Sequence, residues 1–289
     1  MNEDGTETEK KSDAPKSAWR KRLGLILLFL LTAFLAWLVI EPRILLTTEM
    51  TVTDTDIPPE FDGFKIVHLS DIHHGSHVSR DFVKKAVEKT NALGPDLIVI
   101  SGDYISKNKK YIGPCFDELK GLQSEYGVLS VLGNHDYWTD AELVRAAMKR
   151  SRIEDLENRS KWIRKQGAKI KVGGVGDLWE SEQDLDSATS DAKESDFVVL
   201  LCHNPDYAEE VPPDLVDLML CGHTHGGQFT FFGLYAPKLP VSTGQKYRSG
   251  MVEKQGMKIV VSRGIGMIAP PVRFFCPPQI ILITLKSEQ

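Results

Sequence analysis

The sequence predicts a layered α/β domain carried on one N-terminal membrane helix, and three observations predict it. From residue 64 onward, apolar runs of strand length alternate with segments of helical spacing. Short segments rich in Asp and His follow the ends of those runs, so that loops at strand ends converge on one place. An unbroken apolar stretch occupies residues 23–40. The 289 residues, 42% hydrophobic and 26% charged, suffice for one sizeable core once the N-terminal segment is set aside.

Residues 1–22 mix both charge signs with Ser, Thr and Pro and are expected to form a disordered cytoplasmic tail. Residues 23–40 follow, 18 residues without a charge, and at about 1.5 Å per residue a helix of that length just spans a bilayer. A secretory signal is the competing reading, but its apolar region is typically about 7–15 residues and ends in small residues. Here the run ends Trp37-Leu38-Val39-Ile40-Glu41-Pro42, with no cleavage site of that kind. Lys16, Arg20, Lys21 and Arg22 crowd one flank and only Arg43 lies close on the other, which places the N-terminus in the cytoplasm and the domain outside. Trp19 and Trp37 suit interfacial anchors, and residues 41–60 are expected to be a linker.

The domain itself is expected over residues 61–286. Residues 64–69 form a strand that delivers Asp71 and His73, residues 97–100 one that delivers Asp103, and residues 128–132 one that delivers Asn134 and His135. Helical spacing covers residues 81–93 and 140–148 between them. Residues 197–201 then deliver His203, and residues 215–220 deliver His223 and His225 after a Gly turn. The intervening residues 181–196 are acidic, Ser-rich and poor in apolar side chains, and are expected to be an exposed excursion. Cys115, Cys202, Cys221 and Cys276 lack the paired spacing of zinc ribbons or redox motifs and read as small buried filler. A net charge of −5 and a pI near 5.9 supply no basic face for nucleic acid, which disfavours that substrate class.

The Asp and His segments carry the chemistry. Carboxylates, imidazoles and an Asn carbonyl are the oxygen and nitrogen donors that hold divalent Mn, Fe, Zn, Ni or Co, and no thiolate is needed. Asp71 and His73, two residues apart beyond a strand, can grip one ion. Asp103 can bridge to a second, because its two oxygens suit the roughly 3.5–4 Å separation of dinuclear sites. Asn134 adds a neutral oxygen, His203 and His223 add nitrogen to the second ion, and His225 adds nitrogen to the first. The Gly before Asp103 permits a tight turn or close backbone approach.

In order, the segments Asp71-Ile72-His73, Gly102-Asp103, Gly133-Asn134-His135-Asp136, His203 and Gly222-His223-Thr224-His225 resemble the pattern of the calcineurin-like metallophosphoesterase superfamily, with every ligand position filled. The resemblance covers about residues 61–285. It implies a four-layer α/β sandwich in which two central mixed β-sheets are flanked by helices, and hydrolysis of phosphoesters by attack of a metal-bridging hydroxide. Gly176-Asp177-Leu178-Trp179, His203-Asn204-Pro205-Asp206 and Ser262-Arg263-Gly264-Ile265-Gly266 look like the bacterial membrane-associated YaeI/YkuE-like phosphodiesterase branch. Pro277-Pro278-Gln279 stands where that branch often shows Pro-Glu, a departure expected to be peripheral.

The expected function is thus a membrane-anchored phosphodiesterase with two divalent ions, Mn²⁺ foremost, acting on a lipid-linked or cell-envelope phosphoester. His135 is expected to contact the phosphate or the leaving oxygen, Asp136 to orient His135, and Arg263 to bring a cation to the substrate. Two alternatives are a UDP-diacylglucosamine pyrophosphohydrolase of lipid A synthesis and a non-catalytic scaffold of the same fold. His74 and His77 are expected to be exposed loop residues outside the ligand set. Phe229, Phe231, Phe232 and Tyr235 are expected to pack within a core or hairpin, with an apolar substrate floor or a membrane contact as the alternatives.

Overall fold

The computed structural model describes residues 14–288. It opens with helix α1 (Ala14–Ile40), 27 residues long. Of the tail expected over residues 1–22, residues 1–13 lie outside the described residues, while residues 14–22 correct the expectation by continuing the helix. Pro15 fits a helix start, where its missing N–H is not needed, and the following Lys, Trp, Arg and Leu residues extend the helix without a breaker. Leu25, Leu28, Phe29 and Leu31 all stand exposed, so the helix is apolar on every side and joins no core. Within residues 19–43 an 18-residue stretch reaches a mean hydropathy of 2.8, which makes the helix long and apolar enough to cross a membrane.

Twelve strands follow among the described residues, in chain order β1 (Leu46–Asp54), β2 (Lys65–Leu69), β3 (Leu97–Ser101), β4 (Val128–Val131), β5 (Ile153–Asp155), β6 (Arg159–Lys165), β7 (Ala168–Gly174), β8 (Val198–Leu201), β9 (Leu218–Cys221), β10 (Gly250–Lys254), β11 (Met257–Val261) and β12 (Gln279–Ser287). They form two six-stranded sheets, ordered β1-β12-β2-β3-β4-β5 and β10-β11-β9-β8-β7-β6. Both are mixed: β2 to β5 run parallel with β12 antiparallel to β2, and β11, β9, β8 and β7 run parallel with β10 and β6 antiparallel at the edges.

Alternation along the strands explains the layering. In β3, Leu97 and Val99 point into the interface between the sheets with Val199, Leu220 and Ile283, while Ile98 and Ile100 point outward beneath the helices. That outer layer is α2 (Arg80–Ala92), α3 (Ile112–Leu119) and α4 (Asn134–Arg150), the last broken at Asp140, whose backbone is extended. Ser79 caps α2 by accepting the Phe82 amide at 3.2 Å. Across the molecule the fourth layer is thin, built of α5 (Leu185–Thr189) and short turns over Val198, Leu200 and Met219.

Two segments differ from expectation. The supposed linker of residues 41–60 contains β1, which pairs in parallel with β12 along nine positions. Its Thr-rich sequence suits an edge strand that sends only Val52 fully inward, and so it lacks an apolar run. The supposed excursion of residues 181–196 folds α5, capped where Asp184 accepts the Ser187 amide and anchored by buried Ala188. All four cysteines are buried and free.

The carboxyl ends of β2, β3 and β4 in one sheet and of β8 and β9 in the other open on the same edge of the sandwich. The loops at that edge hold every segment rich in Asp and His.

Candidate metal centre

Backbone conformation turns these loops inward. Asp71, His73, Asp103, His223 and His225 all have positive φ, between 46° and 67°. Such backbone costs of order 1–3 kcal/mol per non-Gly residue, and it persists only where surrounding bonds impose it. Here the bonds cross between loops: the Asp71 amide donates to the Gly102 carbonyl at 3.0 Å, the His73 amide to the Asp103 carbonyl at 2.9 Å, and the His223 amide to both carboxylate oxygens of Asp71 at 3.1 Å. Gly102 and Gly133 let the β3 and β4 loops touch. A Cβ on Gly102 would lie 2.4 Å from the Gly133 nitrogen, and one on Gly133 would lie 2.3 Å from Asp103 Oδ1.

The seven expected ligands come together in two groups that share Asp103. His73 Nε2 lies 3.0 Å from His225 Nε2, 3.9 Å from Asp71 Oδ1 and 3.2 Å from Asp103 Oδ2, while His225 Nε2 lies 3.4 Å from Asp71 Oδ1. On the other side, Asp103 Oδ2 lies 3.3 Å from His203 Nε2, which is 3.2 Å from His223 Nδ1, itself 3.1 Å from Asn134 Oδ1. All seven side chains are buried.

The outward-facing nitrogens orient two of these rings. His203 Nδ1 donates to the Ser101 carbonyl at 2.6 Å, which turns Nε2 toward the site, where, against the effect of burial, Asp103 pulls the metal-free imidazole well above its ordinary range. His223 does the reverse, donating from Nε2 to the Pro240 carbonyl at 3.0 Å and presenting Nδ1. Burial, reinforced by His203, pushes the His223 imidazole down to about 3, and burial with His73 and Arg273 pushes His225 well below its ordinary range. Both rings are therefore neutral, the form that ligates. Burial would raise the Asp103 carboxyl, but His203 and His73 outweigh it and hold it well below the usual carboxylate range. Lone pairs and an ionised carboxylate converging on one buried place suit two divalent cations, and this donor set fits them.

The centre floors a cleft of about 700 Å³. His135 faces into it, held where its amide donates to Asp103 Oδ1 at 2.9 Å, with its ring packed between His73 and Trp138. Burial pushes that imidazole down to about 4, against the pull of Asp103, so it is neutral near pH 7. Trp138 and Trp179 stand about half exposed at the mouth, 51% and 50%, and Lys107, Lys110 and Lys238 line the walls.

Several expectations are corrected. Asp136 does not hold His135: its carboxylate accepts the amides of Asp103 at 2.8 Å, Tyr104 at 2.9 Å and Gly133 at 3.1 Å, and so clamps the two loops together. Arg263 is not in the cleft. Its Nε donates to Gln279 Oε1 at 3.3 Å, and Gln279 Nε2 donates to Thr48 at 2.7 Å, so Gln279 is a buried tie between strands rather than peripheral. His74 is buried, its Nδ1 2.9 Å from the Val78 carbonyl, whereas His77 is exposed and lines the cleft. The run from Phe229 to Tyr235 packs only in part, with Phe231, Phe232 and Tyr235 each more than half exposed.

Sequence reasoning missed three features. Arg273 is fully buried and donates to the carbonyls of Arg263 and Cys276 at 2.8 Å and of Gly266, whose amide in turn holds the Asp71 carbonyl. A buried relay runs from His68 Nε2 to Ser101 at 2.8 Å, on to Ser70 at 2.9 Å and to Asp71 Oδ2 at 2.6 Å. Two of the three wall lysines, Lys107 and Lys110, had a legible signal in the basic run Lys107-Asn108-Lys109-Lys110, which begins four residues past Asp103.

Residues 64–227 match the calcineurin-like phosphoesterase family. The chain belongs to that family. This metallophosphoesterase is 34% identical to the metallophosphoesterase YkuE of Bacillus subtilis (strain 168) over 252 residues, 86% of this chain and 88% of the relative. It is 30% identical to the phosphodiesterase YaeI of Escherichia coli (strain K12) over 227 residues, 77% of this chain and 82% of the relative. Among solved structures, the Haemophilus influenzae NAD nucleotidase (NadN) superposes with a TM-score of 0.50 over 70% of this chain and 45% of its own, at 15% identity, a likeness of fold alone. Family and donor set together make this metallophosphoesterase a metal-dependent phosphoester hydrolase.

Proposed function

We propose that this hydrolase is a bilayer-anchored phosphodiesterase that cleaves a lipid-linked or cell-envelope phosphodiester, with Mn²⁺ at both ion positions. Asp71, His73, Asp103 and His225 would hold one ion, and Asp103, Asn134, His203 and His223 the other. The observation that carries this reading is Asp103 Oδ2, placed 3.2 Å from His73 and 3.3 Å from His203, where a single carboxylate serves both groups. When bound, such ions lower the pKa of water, neutralise phosphate oxygens and orient an in-line displacement.

The chain's own residues do the rest. Lys107, Lys110 and Lys238 bring positive charge to the cleft walls and draw in an anionic ester. His135, neutral and facing the cleft, donates a hydrogen bond to a phosphate oxygen or to the leaving oxygen as water's oxygen joins phosphorus, the bond from phosphorus to the leaving oxygen breaks, and the proton given up by water ends on that leaving oxygen. The E. coli relative named a phosphodiesterase supports a diester, and α1 supports the bilayer. The basic flank before α1 supports a cytoplasmic N-terminus with the domain on the far side.

The detergent-solubilised chain should hydrolyse a bis-aryl phosphodiester, lose that activity on chelation and regain it with Mn²⁺. His135→Ala should lower kcat roughly 10²–10⁴-fold with ion content unchanged, because His135 is outside the donor set. Elemental analysis beside steady-state kinetics checks both. Activity that survives chelation, or a His135→Ala kcat near that of the unmodified protein, contradicts the reading.

A further inference from the structure

The apolar turn after the last ligand segment stands largely uncovered among the described residues. Phe231, Phe232, Leu234 and Tyr235 are 52%, 77%, 80% and 52% exposed, and Phe275 beside them is 44% exposed. The turn is rigidly built: the Phe231 amide donates to the Tyr235 carbonyl at 2.8 Å, the Gly233 amide to Thr230 Oγ1 at 3.0 Å, and Arg248 Nη2 to the Gly233 carbonyl at 2.7 Å. A stiff turn that, together with Phe275, presents five large apolar side chains to water is costly for a surface and marks a docking face.

Its position identifies what covers it. The Phe232 and Phe275 rings meet at 5.4 Å, Phe275 meets Phe274 at 4.5 Å, and Phe274 meets Phe34 of α1 edge to face at 5.1 Å. Trp37, near the end of α1, shares a hollow of about 390 Å³ with Phe232 and Phe275. Glu41, directly after α1, is buried and accepts the amides of Phe275 and Cys276, which fixes the helix end to this face. The exposed patch is therefore continuous with the apolar surface of the helix.

We propose that residues 231–235 and Phe275 insert into the interfacial layer of the lipid bilayer that α1 enters, giving the domain a second, aromatic foot on the membrane. Rigid aromatic side chains with one wet end, as Tyr235 and Trp37 have, suit that layer. The foot has a consequence for the active site. Ser76 and His77 line both the metal cleft and a hollow formed with Pro42 and Arg43 at the helix exit, so the cleft opens beside the bilayer surface. A phosphodiester in a lipid headgroup would meet the centre without leaving its leaflet. This inference rests on reading α1 as the membrane span.

The test uses the full chain reconstituted in vesicles of phosphatidylethanolamine and phosphatidylglycerol that carry spin-labelled lipid. The native cysteines are buried, so a bimane label can be placed singly through Phe232→Cys, Leu234→Cys, Leu28→Cys or Glu154→Cys. Glu154 lies on β5, at the opposite edge of its sheet from β1. Labels at 232 and 234 should be quenched at least about twofold more than the label at 154, as an interfacial insertion requires. Quenching at 28 with none beyond the level of 154 at both 232 and 234 overturns the foot and leaves the span standing. No quenching at 28 overturns the span and the foot with it. Excimer emission from pyrene at 232 shows that the patch pairs two copies, and that also overturns the proposal.

Discussion

Asp103→Ala is expected to abolish hydrolysis, lowering kcat by on the order of 10³-fold or more, and to reduce bound metal from two ions to one or none. The reason is that one carboxylate has three tasks. Its Oδ2 stands between His73 and His203, its Oδ1 accepts the His135 amide at 2.9 Å, and its charge keeps each ligand group within reach of a shared anion. Removing it leaves His73 and His225 without an adjacent bridge, and leaves a buried amide unsatisfied at the base of α4. Asp103→Asn separates these effects, because an amide oxygen still accepts from His135 while the bridging charge is lost. It should fold as the unmodified protein does and still lose most activity. Kinetics with elemental analysis on both variants checks this, and a variant that keeps two ions and most of its kcat refutes the bridging role.

Gly102→Ala is expected to be severely damaging although it removes no donor atom. At φ +89° a Cβ is strained whatever surrounds it, and here it would meet the Gly133 nitrogen at 2.4 Å, the Leu132 carbonyl carbon at 2.7 Å and the Gly133 Cα at 2.8 Å. These are backbone atoms and cannot rotate aside. Relief requires the β3 and β4 loops to part, against the Asp136 carboxylate that joins the amides of Asp103, Tyr104 and Gly133. Backbone strain of about 1–3 kcal/mol adds to an overpacking cost of similar size, so the melting temperature should fall by roughly 5–15 °C. The ion content should fall too, since Asp103 and Asn134 lie one residue past the two glycines. Thermal melts with and without Mn²⁺ measure both effects, and an unchanged melting temperature contradicts the close-packed loop geometry.

The strand ends and their donors were legible because each carries local evidence: a short apolar run, then Asp, His or Asn with a Gly nearby. What local evidence cannot show is where a side chain points after a residue with positive φ. Asp136 follows His135 directly, yet it faces the neighbouring loop and not the imidazole. Arg263 and Arg273 are equally charged in sequence. Only tertiary placement makes one a partner of Gln279 and the other the buried hub of the segment behind Asp71. β1 was missed because its partner β12 lies more than 200 residues away and its own Thr-rich sequence has no apolar run. The aromatic turn was expected to be packed because alternating aromatics usually are; at this site the helix beside it alters what its exposure means.

The central claim is that one carboxylate joins two ions in this cleft. Anomalous diffraction at the manganese edge, from crystals of the Mn²⁺-loaded protein, tests it most directly. The account predicts two peaks roughly 3.5–4 Å apart on either side of Asp103. One peak falls within reach of Asp71, His73 and His225, and the other within reach of Asn134, His203 and His223. A single peak, or two peaks with Asp103 bound to neither or only one, would contradict it.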